Sequence, residues 1–252
     1  MIEIRNITLA FGSNRLITDA TAHFSRGTMV ALLGRNGTGK STLLRAMAGL
    51  GKAVAGDIVV NGKSLATLSA TERAEYIAFV NTERVDVDAL TVRELVGIGR
   101  SPYTNWIGRL TAEDNDIVEH AMEVTAITKF AERRVNTLSD GEAQRAMIAR
   151  ALAQDTPIIL LDEPTSFLDL PNRYELCRLL SDLAHKENKC IIFSTHELDI
   201  ALSLADSIAL VDTPRLVHLP TSEMITSGNI ERLFDSEYIS FDATTGAIQL
   251  RR

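Results

Sequence analysis

Gly34-Arg35-Asn36-Gly37-Thr38-Gly39-Lys40-Ser41 fits the pattern G-x-x-x-x-G-K-[ST] without a mismatch. Glycines in such a loop leave backbone N–H groups free to curl around phosphate oxygens, Lys40 offers a mobile cation, and the Ser41 hydroxyl can hold Mg²⁺. On the N-terminal side, Thr28-Met29-Val30-Ala31-Leu32-Leu33 reads as a buried strand; on the C-terminal side, Ser41-Thr42-Leu43-Leu44-Arg45-Ala46-Met47 reads as a helix. The order strand, loop, helix aims the helix N-terminus at an anion, which makes a nucleotide the first ligand to consider.

Further along, the apolar run Ile158-Ile159-Leu160-Leu161 ends in Asp162 and Glu163, and Cys190-Ile191-Ile192-Phe193-Ser194 is followed by His196. Continuous apolar runs of this length fit strands buried on both faces of a parallel sheet, so both sets of polar residues should surface at the sheet's C-terminal edge beside the loop. There Asp162 can hold Mg²⁺ through water, Glu163 can orient or deprotonate an attacking water, and His196 can reach a terminal phosphate. A third segment, Leu138-Ser139-Asp140-Gly141-Glu142-Ala143-Gln144-Arg145, carries the capping box Ser139-x-x-Glu142 and opens a helix that runs through Ala153. A capped start with Gly141 offers a second set of free N–H groups to a phosphate.

The expected organisation is one unit over 1–252: an α/β lobe from 1–88 and 154–252, interrupted by a helical subdomain over 89–153. Residues 1 to about 85 read as strands with turns, including Ile2/Ile4/Ile7/Leu9 and a hairpin marked by Asn61-Gly62. Helical spacing then takes over, with starts at the capping box Thr91-x-x-Glu94 and at Thr111 before Glu113-Asp114. Strand and helix alternate again through Ser207-Ile208-Ala209-Leu210-Val211. A short capped helix near Ser227–Phe234 and a final hairpin around Thr245-Gly246 read as packing.

The 252 residues are 45% hydrophobic and 23% charged with a net charge of −7, a balance that suits a globular protein and disfavours broad contact with nucleic-acid backbone. No run of apolar residues is long enough to cross a membrane, and the alternating Met1-Ile2-Glu3-Ile4-Arg5-Asn6 lacks a signal-peptide profile, so a cytosolic chain is expected. Cys177 and Cys190 lack CxxC spacing and histidine partners, which reads as reduced core thiols.

Taken in order and spacing, Gly34 to Ser41, Leu138 to Gln144, Ile158 to Glu163, Ser166-Phe167-Leu168-Asp169 and His196 resemble the ATP-binding cassette ATPases of ABC transporters. The resemblance implies a P-loop NTPase (RecA-like) α/β lobe with an antiparallel β portion and a helical subdomain. It also implies a head-to-tail homodimer sandwiching two ATP molecules. The P-loop with Thr42, Asp162, Glu163 and His196 of one subunit would face Ser139 and Gly141 of the other, with Asp169 near the seam. Phe11, before Gly12, matches the aromatic that stacks on adenine.

Two positions depart from the family pattern. Where the family has a glutamine after Ile77-Ala78-Phe79-Val80, this chain reads Asn81-Thr82-Glu83, and Thr82 or Glu83 would take over the link from Mg²⁺ to the membrane partner. Asp140 replaces the first glycine of the signature loop; its carboxylate suits a helix N-terminus but would repel a phosphate, so it should point away from the nucleotide.

The insert, with Thr91-Val92-Arg93-Glu94-Leu95-Val96, Gly99-Arg100-Ser101-Pro102-Tyr103 and Glu113-Asp114, looks like the import cassettes for ferric siderophores, haem and vitamin B12. This implies ATP-driven import through a separate transmembrane permease, served indirectly by a substrate-binding protein, at the cytoplasmic face of the inner membrane. A cassette for another cargo is the alternative. A cassette ATPase acting on ribosomes or DNA would be expected to carry paired cassettes, a basic linker or a long coiled coil.

Overall fold

The computed structural model describes residues 1–83, 87–104 and 108–251. Two sheets dominate it. The first holds β1 (Ile2–Phe11), β2 (Asn14–Phe24), β4 (Ala55–Val60) and β5 (Lys63–Ser64) in the order β2-β1-β4-β5, all antiparallel. The second is six-stranded. It places β10 (Arg215–Pro220), β9 (Ser207–Asp212), β3 (Thr28–Leu33), β8 (Cys190–Thr195), β7 (Ile158–Leu161) and β6 (Ile77–Val80) in that spatial order. Its pairs are parallel except β10 with β9. A separate hairpin joins β11 (Ile239–Asp242) to β12 (Ala247–Leu250), around the turn expected at Thr245-Gly246.

The apolar runs of β3, β7, β8 and β9 exist because both faces of the large sheet are covered. Met29, Ala31 and Leu33 point into one apolar cluster, whereas Val30 and Leu32 point into another; Ile159 and Leu161 likewise part from Ile158 and Leu160. The second cluster also takes Leu43, Leu44 and Met47 of α1 (Lys40–Met47) together with Ile2, Ile4, Ile7 and Leu9 of β1, so the helix after the loop is clamped between the two sheets. The first takes Leu176 and Leu180 of α6 (Leu170–His185) and Ile200 of α7 (Leu198–Leu204). Val92 and Leu95 of α3 (Val92–Gly97), Val118 of α4 (Ala112–Val124) and Ile148 of α5 (Asp140–Ala153) belong to the same cluster, so the helical insert shares its core with the α/β lobe.

The capping boxes of α3, α4 and α5 form with Thr91/Glu94, Thr111/Asp114 and Ser139/Glu142. Asn61 (φ 49°) and Gly62 (φ 81°) turn β4 into β5 through left-handed backbone, as the hairpin reading requires. One expectation is corrected. Residues 1 to 85 are not all strands and turns, because α2 (Ala70–Tyr76) lies between β5 and β6. It buries no residue and so carries no apolar stripe; its signal is the capping box Ser69-x-x-Glu72. Near the C-terminus, α8 (Thr221–Thr226) and α9 (Asn229–Phe234) precede the hairpin; α9 starts from left-handed Gly228 without a side-chain cap. Among the described residues no helix is long and apolar enough to cross a membrane.

Candidate functional site

The registers of the large sheet decide where the chemistry gathers. Leu33 pairs with Thr195 and Leu161 with Phe193, so the chain leaves β3, β7 and β8 along one edge, carrying Gly34, Asp162 and His196 with it. Within the loop, glycine is required at two places for different reasons. Gly39, which caps α1, has φ 101°, and a Cβ there would lie 2.9 Å from the Leu16 Cβ. At Gly34 a Cβ would lie 2.8 Å from both the Val211 carbonyl oxygen and Thr38 Oγ1.

Lys40 is only 4% exposed, and its Nζ donates to the carbonyls of Gly34 (2.9 Å) and Arg35 (3.2 Å). Burial pushes its pKa below the usual lysine value, opposed by the negative charges of Glu163 and Asp162. The loop opens onto a cavity of about 460 Å³ lined by Asn36, Gly37, Gly39, Lys40, Ser41 and Thr42 on one side, with Phe11, Asn14, Leu16 and Glu163 completing it. Phe11 is 75% exposed at the end of β1, so it serves as a wall of this cavity and not as core.

Asp162 and Glu163 follow β7 as expected. Ser41 Oγ donates to Asp162 Oδ1 at 2.9 Å and Ser194 Oγ donates to the same oxygen at 2.7 Å. The Ser194 hydroxyl also accepts from the Glu163 N–H at 2.8 Å. Glu163 has left-handed backbone (φ 43°), and its carboxylate accepts from Ser166 Oγ at 3.1 Å. Its other oxygen lies 3.7 Å from His196 Nδ1 and 4.0 Å from Lys40 Nζ. Sequence reasoning missed Ser194, Asn14 and Leu16. The one available signal for Ser194 was a hydroxyl directly after the apolar run Cys190–Phe193, at the end of β8.

Other predicted residues lie elsewhere in the chain. Ser139 and Gly141 line a different cavity, with Lys129, Arg145 and Asn172, at the start of α5. Asp140 lines a third cavity beside Thr82, Glu83, Gln144 and the 84%-exposed Phe167, separate from the cavity that Ser139 and Gly141 line. Thr82 therefore does not line the cavity of Ser41. Asp169 caps α6 by accepting from the Asn172 N–H at 3.1 Å.

The oxygens of Ser41 and Asp162, in hydrogen-bond contact at the mouth of the loop, are the hard donors that Mg²⁺ takes. Among the described residues no group of three or more His, Cys, Asp and Glu side chains could hold a metal by itself. A pair of protein oxygens beside a phosphate-binding loop suits a cation that completes its shell from phosphate and water.

The family model for the ABC transporter matches residues 17–166. The petrobactin import ATP-binding protein FpuD of Bacillus anthracis is 37% identical over 215 residues, covering 85% of this chain and 79% of its own length. A structure described as a metal-chelate type ABC transporter in an inward-facing conformation superposes with TM-score 0.82 at 30% identity, covering 92% of this chain and 88% of that one. A dimeric ATP-binding cassette in a post-hydrolysis state, bound to ADP and phosphate, gives TM-score 0.75 at 25% identity, covering 88% of this chain and 99% of that one. By its phosphate loop, the carboxylates at the same sheet edge and these likenesses, the chain belongs to the ABC transporter family, as an ATP-hydrolysing cassette.

Proposed function

We propose that the chain powers import of an iron complex through a separate membrane permease, working as a cassette dimer at the cytoplasmic face of the membrane. The observation that carries the ATPase chemistry is the convergence of Lys40, Ser41, Asp162, Glu163 and His196 on one sheet edge. Lys40 and the loop N–H groups bind the β- and γ-phosphates. Phe11 stacks on the adenine. Ser41 and Asp162 hold Mg²⁺, which supplies charge neutralisation at the phosphates. Glu163 orients a water against the γ-phosphorus and takes its proton, and His196, beside that carboxylate, contacts the γ-phosphate. Ser139 and Gly141 of a second copy close over the nucleotide, with Asp169 near the seam. Thr82 or Glu83, in the cavity next to Asp140, links nucleotide to permease.

The cargo reading is supported by the likeness to a petrobactin import protein and to a metal-chelate type transporter. A cassette never touches its cargo, so the test is capture of the assembly. Tagged Glu163→Gln chain, held with Mg-ATP in its native host, should co-purify with a multi-span permease encoded beside a chelate-binding protein. Ribosomal or DNA-associated proteins in its place would overturn the transport reading and leave the ATPase assignment standing.

A further inference from the structure

The phosphate-binding loop is held from outside by a turn that the sequence motifs do not include. Thr213, in the turn between β9 and β10, donates its hydroxyl to the Thr38 carbonyl at 3.2 Å, across 175 positions of sequence. The turn is braced on both flanks. Pro214 accepts from the Thr18 N–H of β2 at 2.9 Å, and Asp212 accepts from Arg232 Nε of α9 at 2.9 Å. Val211, one step before, packs so closely on the loop that Gly34 has no room for a Cβ. The brace therefore rests on the large sheet, the antiparallel sheet and the C-terminal helix together.

In a trans peptide the carbonyl of one residue and the N–H of the next point in opposite directions within one rigid plane. Fixing the Thr38 carbonyl outward consequently turns the Gly39 N–H the other way, into the cavity. Gly39 sits at φ 101°, and glycine tolerates a wide range of backbone angles, so this peptide gains from an external stop.

We propose that Thr213 is a positioning residue for nucleotide binding: its hydroxyl, anchored through Asp212 and Arg232 to α9, pre-orients the Thr38–Gly39 peptide towards the phosphates. This rests on the reading of the loop cavity as the nucleotide site. A neutral hydrogen bond of this kind is worth about five-fold in affinity.

ATP titrations of the purified full chain by calorimetry, with steady-state ATPase alongside, test it. Thr213 is exposed, so removing its hydroxyl leaves the core intact. Thr213→Val and Thr213→Ala should each weaken ATP binding and raise KM about five-fold, with kcat changed by less than about two-fold. Thr213→Ser, which keeps the hydroxyl, should restore native affinity. Native binding in the Val and Ala variants, or equal weakening in the Ser variant, would overturn the proposal. Lys40→Ala is the separate check on the site itself: it should abolish binding whatever Thr213 does, and native binding in that variant would sink the nucleotide-site reading and this inference together.

Discussion

The Ser194 hydroxyl donates to Asp162 Oδ1 and accepts from the Glu163 N–H, so one small side chain fixes both the carboxylate proposed to face the cation and the peptide of the proposed base. Ser194→Ala removes a hydrogen bond to a charged group and takes the side-chain partner from the half-buried Glu163 N–H. It should lower kcat about ten-fold in steady-state ATPase assays while ATP still binds. Glu163→Gln keeps the size of the side chain and its contact with Ser166 but cannot take a proton. Turnover should fall by about a hundred-fold or more with ATP binding retained, and hydrolysis at the native rate would remove Glu163 as the base. The two carboxylates were legible in sequence because together they close the apolar run Ile158–Leu161. Ser194 was not, because a hydroxyl inside a strand reads as an interruption until the register of β7 against β8 brings it beside Asp162.

Caps and buried pairs set the geometry of the elements. Asp114 accepts from the Thr111 N–H and hydroxyl at the start of α4, and Arg100 Nε reaches its other oxygen at 2.8 Å while donating through Nη1 to the Ala153 carbonyl at the end of α5. The bonds from Thr111, then the Arg100 charge and hydrogen bond, hold the Asp114 pKa down from 3.8 to about 2. At about 1.4 kcal/mol for each pH unit, its ionised form contributes about 2 kcal/mol. A depressed carboxylate stabilises above its unfolded pKa and loses that contribution as pH falls through its folded one. Urea unfolding should therefore find Asp114→Asn destabilised by about 2 kcal/mol or more at pH 7, with the gap from the native chain closing between about pH 4 and pH 2. A constant gap across that range would show that the charge of Asp114 contributes nothing. The starts of α3, α4 and α5 were readable because each precedes residues with an apolar face, whereas α2 has a capping box and no such face.

At the scale of the molecule, the phosphate loop and the signature segment present separate cavities, one lined by Lys40 and Glu163, the other by Ser139 and Gly141. On the proposed dimer reading, a second copy brings its Ser139–Gly141 segment over this copy's loop, and two copies related head to tail then make two identical sites. That arrangement is proposed from the family resemblance alone, since nothing in one chain's pattern specifies a contact with its own copy. It makes a distinctive prediction. Gly141 has ordinary backbone, and an added Cβ would find its nearest neighbour at 3.7 Å, so Gly141→Asp can fold while placing a carboxylate where the second copy's phosphate would come. Lys40→Ala and Gly141→Asp should each be inactive alone. In a mixed dimer, one composite site carries both lesions and the other carries neither. With random exchange of subunits, half the dimers are mixed and each has one intact site of two, so ATPase activity should return to about a quarter of native for independent sites. Measuring hydrolysis before and after co-refolding the two variants decides it: no recovery would mean that each chain completes its own site, and that Ser139 and Gly141 have no part in the other copy's nucleotide.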